Sequence, residues 1–393
     1  ILGGWVTTDL TWRVVFYAEV VLAIAILLSA GLIAEKKSKQ RAPRMDWVGS
    51  GLTALGLSMI VFGVLQASNW GWVAPRNSPI EPFGLSLTLY FVAGGVLVLG
   101  LFRAWERRRE ERGKDPLVHF RLFRIPPLRG GLSMLLAQNL ILMGIFFTIP
   151  LYLQIVQGLS ALETGVRMLP ASVALFLTAI AVAALAERFA PRPLVRTGLG
   201  IVAIAAFMLL GTVDSELDTT AFLVAMGVLG VGMGLILSQL GNVVQSSVGA
   251  KDRSEAGGLQ YTAQQLGSSL GTALLGAVVV SGLIAAFSNN VENNPNLGAP
   301  VQQDVQIALA GDVSFVSAED VRTGAEESGA DPEMVDEVVD DYENAQLAAL
   351  KLAFLFAGFI ALGSFWATRR LPTRKFSEIE SAPDPPAAPN APT

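Results

Sequence analysis

Nine separate stretches of this 393-residue chain are apolar over about the length a helix needs to cross a bilayer. A hydrocarbon core of about 30 Å takes roughly 20 residues at 1.5 Å rise each, and backbone inside it must satisfy its own N–H and C=O groups. The runs lie near 12–33, 47–67, 82–104, 129–153, 164–185, 194–213, 219–243, 258–287 and 346–367. VVLAIAILLSAGLI and ASVALFLTAIAVAALA are apolar all round, whereas a helix of a soluble core keeps a polar face. The pattern predicts an all-α integral membrane protein with nine transmembrane helices. Composition agrees: mean hydropathy is +0.51 and 16% of residues are charged, against about 25% in soluble domains.

The connections between runs alternate in charge. Those near 34–46, 103–129, 185–196 and 245–257, with the C-terminal tail, hold 23 of the 28 Lys and Arg residues; the alternate set near 68–81, 154–163, 214–218 and 288–345 holds 2. The positive-inside rule makes the first set, and so the C-terminus, cytoplasmic in a multi-pass cell-membrane protein. Trp5, Trp12, Trp70 and Trp72 fall at outer ends of runs and Trp47, Trp105 and Trp366 at inner ends, the headgroup levels that indole prefers. Nine spans with the C-terminus inside put residues 1–8 outside. The sequence starts ILGGWVTTDLTWR with no Met, so the expectation is an N-terminally truncated chain lacking an odd number of helices.

Net charge is −5, but residues 288–345 alone carry 14 acids against Arg322. That loop is expected to form one or two short amphipathic helices as a solvated cap. Nucleic acid is not expected as a partner. With no cysteine and a single histidine, His119, neither a disulfide, a thiol nucleophile nor a zinc-type site is expected, and no cofactor or metal is assigned. The segment WERRREERGKDPLVHFRLFRIPPLRGG reads as a cytoplasmic linker whose basic residues lie on anionic lipid, at about 1 kcal/mol each, with His119 at its surface. The Pro-rich end, SEIESAPDPPAAPNAPT, reads as a disordered tail.

Polar residues inside the runs carry the functional signal, because each is costly in hydrocarbon and turns toward a bundle interior or water. Glu19 lies six residues into the first run and is the candidate for proton coupling or cation attraction, the alternative being a structural pair near the outer end. Glu163 and Arg167 have i,i+4 spacing and predict an ion pair at the outer end of the fifth run. Gln138, Asn139, Gln239, Asn242 and Gln264 are candidates for lining a substrate path, with packing the competing role. Gly227, Gly230, Gly234, Ser238 and Asn242 share one face, as do Gln260, Gln264, Gly267 and Gly271; the glycines read as close helix packing.

LGGWVTTDLTWRVVF resembles the end of the fifth and start of the sixth helix of the fourteen-helix drug:proton antiporters of the major facilitator superfamily. Ile1, Leu2, Gly3 and Gly4 would close that family's G-x-x-x-G-P-x-x-G-G motif. PLYLQIVQGLSALETGVRMLPAS is similar to the end of its ninth helix and start of its tenth, and SEAGGLQYTAQQLGSSLGTALLGAV to its thirteenth. LAERFAPRPLVRTG resembles a second copy of the gating motif G-x-L-a-D-R-x-G-R-K, as Ala183, Leu185, Glu187, Arg188, Ala190 and Arg192.

The resemblance implies a major facilitator fold with nine of fourteen helices present. Residues 1–33 would end the N-terminal six-helix bundle, 34–104 form two linker helices, 105–128 the basic linker, 129–367 the C-terminal six-helix bundle with the acidic outer loop, and 368–393 the tail. Glu187, Arg188 and Arg192 would form the inner gate. The implied function is export of small amphipathic or cationic molecules by proton antiport with alternating access, in contact with membrane lipids, by a monomer and not an enzyme. The competing readings are export of an endogenous metabolite, lipid or amino acid, and a non-transporting membrane sensor or membrane-embedded enzyme.

Overall fold

A computed structural model describes residues 2–30, 45–75, 78–185, 189–295, 297–298, 302, 315–327 and 331–373. Among these, nine helices are long and apolar enough to cross a membrane, and no strand occurs. In chain order the helices are α1 (Leu2–Asp9), α2 (Trp12–Ala30), α3 (Trp47–Leu65), α4 (Leu87–Glu111), α5 (Pro126–Pro150), α6 (Ala161–Leu185), α7 (Pro191–Thr212), α8 (Thr219–Ser246), α9 (Arg253–Asn293), α10 (Ala318–Glu327) and α11 (Pro332–Ser364).

Local chemistry sets where they begin. Asp46, Ser86, Asp218 and Asp331 cap α3, α4, α8 and α11 by accepting from backbone N–H groups one turn in, and Pro126, Pro191 and Pro332 occupy first-turn positions where no intrahelical N–H is needed. Past Pro150 the α5 backbone continues as a widened π turn over Leu151–Val156, and Gly158 at φ 63° ends it.

Helices α5, α6, α7, α8, α9 and α11 pack into one bundle. In it α8 lies against α6, α7 and α5, while α11 lies against α9, α7 and α5. The main core cluster runs through this bundle, with Met134, Ile141, Leu199, Phe222, Ile236, Leu275 and Phe354 essentially inaccessible. Helices α3 and α4 form a separate pair that docks through α3 on α9; α1 packs on α6, and α2 touches α1. Large apolar side chains such as Phe176, Leu177 and Ile180 of α6 are exposed.

The bundle is built on glycines that admit neighbouring backbone. A Cβ on Gly271 would lie 2.9 Å from Leu140 Cα and nearer still to its carbonyl oxygen, and Gly267 sits the same way on Leu136; together they seat α9 on α5. Gly230 and Gly234 meet the Ala171 and Leu175 carbonyls of α6, and Gly198 and Gly232 meet each other's carbonyls across α7 and α8. Gly227, which shares a stripe with Gly230 and Gly234, touches nothing within 4 Å.

The acidic loop meets expectation in part. Among its described residues the short helix α10 forms as expected, but residues 332–345 are the opening turns of α11, not a free amphipathic helix, and α9 runs on to Asn293. At 1.5 Å per residue α9 spans about 62 Å and α11 about 50 Å, far beyond the hydrocarbon thickness. The apolar stripe of the span continues through the charged sequence: Val335 and Val339 are buried, and Tyr342 and Ala345 share a buried cluster with Phe287, Val291 and Leu297. Asn294 donates to Glu337 and Asp341, Asn290 donates to the Asp341 carbonyl, and the Tyr342 ring meets Phe287 edge-on. Glu292 of α9 and the six acids from Glu333 to Glu343 of α11 therefore decorate a stalk of two extended helices.

Candidate functional site

At the middle of the six-helix bundle a cavity of about 150 Å³ opens between α5, α6 and α8. Its walls are Leu142 and Phe146, Ser172 and Leu175, and Leu229 and Met233, closed by Ala171 and Gly230. Leu142 is 16 residues into the 25 of α5, Ser172 11 into the 25 of α6, and Leu229 10 into the 28 of α8, so all three helices contribute from near their centres. Pro170 precedes the α6 wall; it removes a backbone donor where Gly230 comes up against the Ala171 carbonyl. The cavity is apolar except for Ser172, and it is large enough for part of a drug-sized molecule.

Amides lie toward the basic end of the cavity. Gln138 stands one turn before Leu142 on the same side of α5; it is 1% exposed, and its Oε1 has no donor among the described residues. Gln239 on α8 is fully buried, donates to Ser238 Oγ and also leaves Oε1 without a donor there. Asn139 turns its Nδ2 to the Leu135 carbonyl of its own helix, beside Gly267 at the α5–α9 contact. Gln264 is half-buried on α9, and Asn242 is exposed on α8. Of the five candidates the structure encloses Gln138 and Gln239 within the bundle, leaves Asn139 and Gln264 half-buried, and exposes Asn242.

At the acidic end the expected Glu163–Arg167 pair is not made. Glu163 Oε2 accepts from Ser160 N and Oγ at 2.9 and 2.8 Å, and Ser160 Oγ accepts in return from Glu163 N. This reciprocal cap satisfies the first turn of α6, and it draws the carboxylate back toward the helix start. Arg167 reaches across to Thr219 Oγ1 at 2.9 Å at the start of α8. Beside them Tyr152 is fully buried; its hydroxyl lies 3.0 and 2.9 Å from the Thr212 and Asp214 carbonyls and accepts from Gln157 and from Asp214 N. Nothing in the sequence marked Tyr152, because it closes a contact across sixty residues.

Glu19 is exposed on α2, with no ion pair among the described residues, while Arg13 stacks 5.5 Å over the Trp12 ring. Gly4 of α1 has a Cβ position 2.6 Å from the Ala161 carbonyl at the start of α6; Gly3 has open space. Of the gating residues, Glu187 and Arg188 lie outside the described residues. Arg192 is half-buried at the start of α7, its Nε without an acceptor among the described residues, and the next turn is tied to the short turn after α11 by Arg196 Nε donating to Thr368 Oγ1 at 2.8 Å. His119, expected at the surface, is partly buried: its Nδ1 is 2.8 Å from Glu255 Oε2 at the start of α9, and Arg121 pairs with Asp252 at 2.8 Å.

Comparison with known proteins gives a consistent result. The model of the Major Facilitator Superfamily matches residues 1–272. The tetracenomycin C resistance and export protein of Streptomyces glaucescens is 30% identical over 390 residues, covering 98% of this chain and 67% of its own length. A probable actinorhodin transporter of Streptomyces coelicolor is 28% identical over 68% of this chain and 45% of its own, and the multidrug efflux pump LfrA of Mycolicibacterium smegmatis is 28% identical over 81% and 59%. The matched regions thus span about half to two thirds of these relatives. With nine apolar helices among the described residues, glycine-seated packing and a family match over more than half its residues, the chain belongs to the Major Facilitator Superfamily.

Proposed function

We propose that this chain contributes the C-terminal six-helix bundle and the linker helices of an exporter that moves small amphipathic or cationic organic molecules out of the cell against inward proton flow. The observation that carries this reading is the mid-bundle cavity of α5, α6 and α8, at the depth where rocking-bundle transporters hold substrate. Its apolar walls suit aromatic or aliphatic surface, and Ser172 and the enclosed Gln138 offer the few polar groups such a site uses. The relatives' names place their own cargo among antibiotics and drugs, which favours export over a sensing or enzymatic role.

In this reading the basic ends of the helices face the cytoplasm, Arg192 with Glu187 and Arg188 works as the inner gate, and α1 docks through Gly4 on α6 as the outer contact of the two bundles. Glu19 is the coupling candidate. Each proton entering down 100 mV contributes about 2.3 kcal/mol.

The test uses everted vesicles from cells expressing the native gene, with a pH-reporting dye and a panel of lipophilic cations. Cation addition should release protons from the acidified lumen, and Phe146→Ala with Met233→Ala should change which cations do so. Cation uptake unaffected by collapse of the proton gradient would overturn antiport, and an unaltered cation profile in the double variant would overturn the cavity assignment.

A further inference from the structure

The linker helices α3 and α4 meet at their basic ends through two carboxylates that lie outside the six-helix bundle. Asp46 and Glu106 are 3% and 1% exposed. Asp46 Oδ1 accepts from Gly49 N at 3.0 Å, and its Oδ2 accepts from Trp105 Nε1 at 3.0 Å and faces Arg109 Nε at 3.4 Å. Glu106 follows Trp105, where the apolar run of α4 has given way to ERRREE, so it stands past the span. Its Oε2 accepts from Leu117 N at 2.6 Å and Val118 N at 3.4 Å; its Oε1 is buried with no donor among the described residues. That orphan oxygen and Asp46 Oδ2 crowd the same spot: a Cβ on Gly49 would lie 2.6 Å from Asp46 Oδ2 and closer still to Glu106 Oε1. Two buried carboxylates this near each other cannot both ionise cheaply, and one guanidinium offsets only one of them.

We infer that Asp46 and Glu106 form a proton-binding site, holding one proton between Glu106 Oε1 and Asp46 Oδ2. The proton supplies the donor that Glu106 Oε1 lacks, while Asp46 remains the charged partner of Arg109. Burial alone would raise the Asp46 carboxyl, but hydrogen bonds from Gly49, Glu106 and Trp105 and the charge of Arg109 hold it below the usual carboxylate range. The other charges around the pair are mostly cations. Arg108, Arg112 and Lys114 line a recess with Trp105 and Arg109, and Arg109 also donates to the Asp115 carbonyl. Farther along the same segment come His119 with Glu255 and Arg121 with Asp252, at the first turn of α9.

The site has a mechanical consequence. Glu106 grips the N–H groups of 117 and 118, and the next residue, His119, is the one fastened to Glu255. One bound proton therefore ties α3, α4 and the strap that leads to α9 into a single clasp. As pH rises the proton leaves and the carboxylates repel, so the strap held by Glu106 parts from α3. As pH falls far enough to protonate Asp46 as well, the Arg109 contact and the α3 cap weaken. The clasp is tightest between these limits. This inference stands on the linker helices and does not depend on the transport reading.

The experiment uses the full chain in lipid bilayers, with infrared difference spectroscopy across a pH titration in H2O and D2O and hydrogen exchange at Leu117 and Val118. Wild type should show a deuterium-sensitive carbonyl stretch of a protonated carboxylic acid that disappears as pH rises. Glu106→Gln should remove it, because its amide oxygen can keep the strap and its NH2 can donate to Asp46 without titrating; protection of Leu117 and Val118, corrected for intrinsic rate, should then show no pH-dependent step. Asp46→Asn, which keeps an oxygen to cap α3, should remove the band by leaving Glu106 ionised. Absence of the band in wild type, or its survival in either variant, would overturn the inference.

Discussion

Gly271→Ala adds one methyl group where α9 rests on α5, and the structure fixes what that methyl meets. Its Cβ would stand 2.9 Å from Leu140 Cα and carbonyl carbon and closer to the carbonyl oxygen; this is helix backbone, which cannot rotate aside. Relief requires α9 to lift by about 0.5–1 Å, and a gap of that size forfeits a quarter to a half of the dispersion energy of the contacts it opens. Overpacking of this kind costs about 1–3 kcal/mol. Alanine also gains about 1 kcal/mol of helix propensity over glycine, a gain present at every helical glycine. Gly227 isolates it, since its Cβ position is empty to 4 Å. Gly227→Ala should therefore be neutral or more stable than wild type by up to about 1 kcal/mol, and Gly271→Ala less stable than Gly227→Ala by about 1–3 kcal/mol. Both are read by equilibrium unfolding of the purified chain in the same detergent. Equal stability of the two variants would refute the claim that glycine at 271 is there to seat one backbone on another.

Three further outcomes follow from particular contacts. Glu163→Ala should destabilise the chain slightly, through loss of the carboxylate that accepts from Ser160 N and Oγ, and in a double-mutant cycle with Arg167→Ala the effects of the two substitutions should add, because the two side chains serve different partners. Gln239→Leu should leave stability unchanged or raise it by about 1 kcal/mol, since it removes an enclosed amide oxygen with no donor among the described residues; a loss of more than 2 kcal/mol in the same assay would show that the oxygen is satisfied. Tyr152→Phe should cost about 1–3 kcal/mol and speed amide exchange at Asp214, whose N–H loses its acceptor.

The elements were largely legible in the sequence because membrane helices are specified by length and apolarity, both of which are local. The nine runs correspond to the nine long helices among the described residues, and the Gly267 and Gly271 spacing anticipated a close approach, since small residues one turn apart leave a groove that only another backbone fills. Charge was the poorer guide at helix ends. Residues 332–345 read as part of a solvated cap with short helices of its own because of their acids, yet the buried Val335, Val339 and Tyr342 carry the apolar stripe through them, and burial on one side is enough to make them one helix with the span. Glu163 and Arg167 had the right spacing to pair, but an unsatisfied first helical turn competes for the same carboxylate, and the nearer backbone wins.

What the sequence left unread shares one property: each feature is a meeting of residues far apart in the chain. Tyr152 with Asp214, His119 with Glu255 and Asp46 with Glu106 involve single polar residues that, taken alone, look like ordinary helix-end decoration. Their significance comes from enclosure. A carboxylate at a helix end costs little while water reaches it, but once α3 and α4 close over Asp46 and Glu106 the same group needs a donor for every oxygen. Gly49 is what permits that closure, and Gly49→Ala is accordingly the sequence change that would drive the two carboxylates apart while leaving every charge in place.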